Sequence, residues 1–190
     1  MQTFDIKGTK RVANGKKAAK ALRANGQVPC IIYGGKEPVE FAVPESSFRN
    51  LIYTPNVYIV NVDIDGVVKK AILKDIQFHP VTEKILHVDF FEIFDDKPVA
   101  IAVPVKLVGN SEGVKAGGKL QLEMRKLSIK GLPSKLLDVL EIDVTNLGLG
   151  KVIKVGELKY EGIEILNAKA AVVVAVKLTR AAIAAQGEAK

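Results

Sequence analysis

The sequence predicts a mainly β protein with short helices, of the α+β class, and three observations carry that prediction. Short runs that alternate apolar and polar residues recur along the chain, as at residues 57–63 (VYIVNVD) and 140–144 (LEIDV). That period is the one expected of strands with a single buried face. Helical spacing is confined to brief stretches, the clearest at residues 16–24 (KKAAKALRA). Finally, the polar break Asp95-Asp96-Lys97-Pro98 separates two halves of different texture, so a domain is expected over 1–94 and a second, β-rich one over 95–178.

Taken in order, residues 3–7 read as a first strand that leads through Gly8 into a basic segment. The helix at 16–24 should stop at Asn25-Gly26, a pair tolerant of the left-handed conformation. The apolar run 28–33, ended by Gly34-Gly35, is a strand entering a tight turn. Residues 38–43 alternate as a strand, and Pro44-Glu45-Ser46-Ser47 opens a short helix reaching about Ile52. Asp65-Gly66 marks a hairpin between strands at 57–63 and 67–77, and residues 85–93 complete a unit of several antiparallel strands and two short helices.

In the second half, residues 98–108 form a strand interrupted by Pro104, which suits an edge or a bulge. A glycine-rich loop precedes an alternating strand over 120–130. A helical turn is expected at 132–137, a strand at 140–144, a turn at 146–150 and further strands at 152–160, 162–166 and 168–178. Residues 179–190 read as an alanine-rich tail, frayed or weakly helical.

The composition is that of a soluble globular chain, 48% hydrophobic and 26% charged, and no apolar run is long enough to span a bilayer. With no secretory segment at the N-terminus, a cytoplasmic location is expected. The charge is unevenly spread. Residues 1–35 hold seven Lys/Arg against the single acid Asp5, a net of +6 within a chain total of +7. On the helix at 16–24, Lys16, Lys20 and Arg23 share one face with Lys17 at its margin, opposite Ala18, Ala21 and Leu22. Basic helix faces are often plain solvated surface. Charge concentrated in one short segment favours a polyanion partner instead.

Other chemistries find little support. Residues 113–120 (GVKAGGKL) fit the phosphate-cradling GxxxxGK pattern, but Leu120 stands where a Ser or Thr must hold magnesium. The residues that follow alternate like a strand, whereas that loop should open a helix. His79, His87 and Asp89 lack a further well-placed nitrogen or sulfur ligand for a metal. His87 and Asp89, two apart on a strand, project from the same face. The lone Cys30 sits in an apolar strand and reads as a small core residue. No catalytic residue, cofactor, membrane association or small-molecule substrate is expected, and the chain is not read as an enzyme.

The segment RVANGKKAAKALR…PCIIYGG (residues 11–35), followed by QFHP…LHVDF (residues 77–90), resembles the bacterial ribosomal protein L-twenty-five family. GVKAGGKL, LSIKGLP and LGLGKVIKVGEL resemble the extra domain of its two-domain form, the CTC or general stress protein type. The resemblance implies an N-terminal β-barrel-like domain that binds 5S ribosomal RNA, a mainly β C-terminal domain, and partners in the large ribosomal subunit, including neighbouring ribosomal proteins. It implies RNA contacts from Arg11, Lys16, Lys20, Arg23, Tyr33, Gln77, His87 and Asp89, to which Lys17 is added on charge. Ala19 stands where some relatives carry a hydroxyl, and Phe78 where some carry a basic residue.

Overall fold

The computed structural model of the chain describes residues 1–13 and 15–179, so all of the expected tail except Thr179 lies outside the described residues. Two compact units emerge among the described residues, one comprising Met1–Ile101 with Leu132–Asp138, the other Ala102–Gly131 with residues 139–179.

The first unit is a closed six-stranded barrel of β1 (Gln2–Lys10), β2 (Gln27–Tyr33), β3 (Val39–Pro44), β4 (Tyr58–Ile64), β5 (Val67–Phe78) and β6 (Ile85–Glu92), in the order β1-β3-β2-β6-β5-β4. Where several antiparallel strands are expected, the pairing is mixed, because β1/β4 and β2/β6 are parallel. Local alternation specifies which residues face inward but says nothing about the partner strand's direction. Closure turns on Gly8. There β1 ends its pairing with β4 and passes to β3, and a Cβ at this position would lie 2.7 Å from the Phe41 ring. The Asp65-Gly66 hairpin forms as expected, with both residues at positive φ. Asp63 caps the turn, its Oδ1 accepting the Gly66 N–H at 2.9 Å, while Asp65 Oδ2 accepts the Lys10 N–H at 3.0 Å and ties the turn to the end of β1.

Inside the barrel, Phe41, Phe48 and Phe90 are fully buried together with Val28, Ile32, Val43, Val60, Val62 and Val88. Phe48 comes from a 3₁₀ turn (Glu45–Phe48) that runs into α2 (Arg49–Ile52), the short helix expected there. Cys30 is buried in this core, and desolvation pushes its thiol well above the usual range. A thiol-specific reagent at neutral pH is therefore expected to leave native Cys30 unmodified over the time in which the urea-unfolded chain reacts fully. Equal rates in the two states would place Cys30 outside the core.

The second unit comprises a four-stranded sheet in the order β10-β7-β9-β12 and a three-stranded sheet in the order β11-β13-β8. Its strands are β7 (Val99–Val108, whose first three residues belong to the first unit), β8 (Lys119–Leu122), β9 (Lys126–Gly131), β10 (Leu140–Asp143), β11 (Val152–Lys154), β12 (Ile163–Ile165) and β13 (Val172–Lys177). Three expectations change, the first being that the strand expected over 152–160 stops at Lys154 and gives way to a 3₁₀ turn (Val155–Glu157). The strand expected over 120–130 is two strands, β8 and β9, which belong to different sheets and are separated at Glu123–Arg125. And β7 is an inner strand, with Pro104 immediately before the residues paired to β10.

Within the glycine-rich loop, α3 (Glu112–Lys115) packs where the backbone must come close. A Cβ on Gly113 would lie 2.7 Å from the Gly148 carbonyl carbon, and one on Gly118 would lie 2.6 Å from Val176. The buried Ser111 hydroxyl donates to Leu147 O at 2.5 Å. Gly113 thus lets the loop meet the 146–150 turn and Gly118 lets it meet β13, so close packing accounts for both glycines of the GxxxxGK spacing.

Candidate nucleic-acid interface

The basic helix α1 (Lys16–Ala24) forms over the expected span and ends at Asn25. It is a weakly anchored element. Gly15 supplies no side-chain cap, no acid occupies the first turn, and no residue of the helix is buried. Its packed row is Ala18, Ala19 and Leu22, each half-buried, whereas Ala21 is exposed. The expected apolar side, Ala18, Ala21 and Leu22, is thus displaced around the helix, with Ala19 packed in place of Ala21. Lys16, Lys17 and Lys20 are exposed, and none of the ion pairs among the described residues involves them. Three uncompensated ammonium groups within nine residues make a strong local positive field.

Arg23 is differently employed. Its Nε–H donates to Leu86 O on β6 at 2.9 Å. Arg11 is also engaged within the protein: NH1 lies 3.4 Å from Glu40 Oε2, NH2 donates to Ala13 O at 3.3 Å, and the side chain is only 10% exposed.

The remaining candidates meet on one outer surface of the barrel. Residues of β2, β6 and β5 that alternate with core positions form rows across the sheet. One row runs Glu40, Ile31, Asp89, Asp75 through successive strand pairs, and the next pairs His87 with Gln77. Tyr33 stands beside them, its ring edge-on to Phe91 at 5.7 Å. The Tyr33 hydroxyl is raised above the ordinary tyrosine range by burial first, then by the charges of Asp89 and Asp75. His87 Nδ1 and Asp89 Oδ1 lie 2.6 Å apart with about a quarter to a third of each side chain exposed (26% and 30%). With Nδ1 engaged by the carboxylate, Nε2 is the ring nitrogen left for a partner. The structure therefore gathers Tyr33, Gln77, His87 and Asp89 on one surface, and the Arg23–Leu86 bond ties the lysine-bearing helix to the same strand.

Two β-bulges bracket this patch. The β5/β6 register skips Lys74 between Leu73 and Asp75, and skips Leu86 between Ile85 and His87. Between the bulges, Asp75 and Gln77 pair with Asp89 and His87, while Ile76 and Val88 turn toward the core. Bulges re-aim side chains in this way. Asp75 was missed at the sequence level, although it lies two residues before Gln77 and so shares its face. His79, by contrast, serves the chain's own turn: its Nδ1 accepts the Val81 and Thr82 N–H groups, each at 3.2 Å.

An arrangement of mobile cations beside a rigid set of directional donors and acceptors suits a structured nucleic acid. The cations neutralise phosphates without reading them, and the patch can hydrogen-bond base edges and 2′-hydroxyls. Known proteins agree with the motifs. Residues 6–90 match the model of the Ribosomal L25p family, and residues 98–180 match that of the ribosomal protein TL5 C-terminal domain. The chain is 56% identical over 189 residues to the large ribosomal subunit protein bL25 of Phocaeicola vulgatus, with 96% of each chain covered. It is 56% identical over 184 residues to that of Porphyromonas gingivalis, again covering 96% of each. Against that of Parabacteroides distasonis the identity is 49% over 193 residues, covering 99% of this chain and 100% of the relative. Similar to these proteins from end to end and carrying both domain signatures in order, the chain belongs to the ribosomal L25p family.

Proposed function

We propose that this chain binds 5S ribosomal RNA in the large ribosomal subunit through the outer surface shared by α1, β2, β5 and β6. The coarser role follows from family membership: the protein is a structural, non-enzymatic constituent of the large subunit and works on the cytoplasmic ribosome. The finer reading rests on one observation, the placement of three unpaired lysines beside the bulge-bracketed patch of Asp75, Gln77, His87 and Asp89. Lysines alone would hold any duplex. Carboxylates in the patch repel phosphate, so they fit an RNA segment that offers base amino groups or 2′-hydroxyls at that point. An irregular helix with non-Watson–Crick pairs does so; a regular one shows mainly shape and backbone.

The test is binding of the full chain to 5S ribosomal RNA and to an equally long regular duplex at two salt concentrations. A preference for the 5S RNA that persists at the higher salt is expected, and His87→Ala with Asp89→Ala should reduce it about tenfold or more, the loss of one or two directional contacts. Equal, salt-sensitive binding to both RNAs would reduce the surface to a generic basic patch.

A further inference from the structure

We propose that Arg23 is a positioning residue that locks the Leu86 bulge and thereby fixes His87 and the basic helix in one rigid unit. The inference builds on the RNA-binding reading above. Leu86 is passed over by both neighbouring ladders: β5 pairs with His87 and then Ile85, and the β2 pairs begin only at Val88. Its carbonyl is the group that a bulge leaves without a ladder partner. The Arg23 Nε–H supplies the missing donor at 2.9 Å, from a helix that buries none of its own residues. The next residue along β6 is His87, which is paired with Gln77 and bonded to Asp89. One side-chain bond therefore sets both where α1 lies and where the bulge directs His87.

Charge and clamp are separable by chemistry. A lysine at position 23 keeps the positive charge, but carbon occupies the place of Nε along its side chain and the ammonium lies one bond further out. Arg23→Lys should therefore preserve phosphate neutralisation and lose the clamp. Lys20→Ala should do the reverse.

With the full chain, Arg23→Lys is expected to keep the wild-type salt slope while its preference for 5S RNA over regular duplex falls several-fold. Lys20→Ala should lower the slope by about 0.7–0.9 and keep the preference. In the free protein, NMR should show the wild-type Arg23 Nε–H exchanging more slowly than that of Arg49 or Arg125, and Arg23→Lys should shift the His87 ring signals. An Arg23→Lys variant with wild-type preference and unmoved His87 signals would overturn the proposal. So would an Arg23 Nε–H that exchanges as fast as the other two, an outcome that needs no variant to fold. If the wild type itself shows no preference between the RNAs, the RNA-binding reading fails. The free-protein measurements then decide the clamp alone.

Discussion

The triple substitution Lys16→Ala, Lys17→Ala, Lys20→Ala is expected to flatten the salt dependence of RNA binding by about two units in the slope of log K against log salt. Each exposed, unpaired ammonium that neutralises a phosphate releases close to one counterion, at about 0.7–0.9 per contact. The parent should therefore bind much more tightly at low salt, and the gap should narrow roughly 16-fold between 50 and 200 mM. Loss of helix does not confuse the outcome. Alanine is the better helix former, and removing cations from the first turn relieves an unfavourable dipole interaction. A triple variant with an unchanged slope would place the phosphates elsewhere.

Phe90→Ala should be the most destabilising single change in the barrel, at about 3–5 kcal/mol. The ring is fully buried and lies 5.8 Å from that of Phe41 and 6.4 Å from that of Phe48. Ladders closed on every side limit how far the strands can collapse into the cavity, so the cost should fall in the upper part of the range for such truncations. In urea, followed by circular dichroism, the barrel transition should move down by at least about 1 M, given slopes of roughly 1–3 kcal/mol/M. A shift under about 0.3 M would mean that Phe90 is not the centre of the core. Because Phe90 directly follows Asp89, RNA selectivity should fall along with stability.

Much of this was legible in the sequence where the governing forces are local. The span of α1, the Asp65-Gly66 hairpin and the alternation of β4 follow from periodicity and turn chemistry acting within a few residues. Cys30 as a core residue followed from the apolar run around it. What local pattern does not encode is the choice of partner. Parallel pairing of β1 with β4, and the split of residues 120–130 between two sheets, depend on chain segments far away in sequence. The same holds for the interface. Same-face spacing links His87 with Asp89 and Asp75 with Gln77, but what brings the two pairs together is the register of β5 on β6, and that register is set by two bulges that leave no mark in composition. Arg11 and Arg23 looked alike as surface cations. Their bonds to Glu40 and to Leu86 O are tertiary facts.

The parallel pairing of β2 with β6 has a consequence for the order of events during synthesis. α1 and β2 leave the ribosome early, while β6, the strand that carries His87 and Asp89, is made last among the barrel strands. Pairings between segments so distant in sequence form slowly. If the RNA-binding surface is the one proposed, a nascent chain that has not yet reached β6 already carries its full set of helix lysines but not the strand that would discriminate between RNAs. Attraction without selectivity would then come first, and closure of the barrel would be the step that adds discrimination.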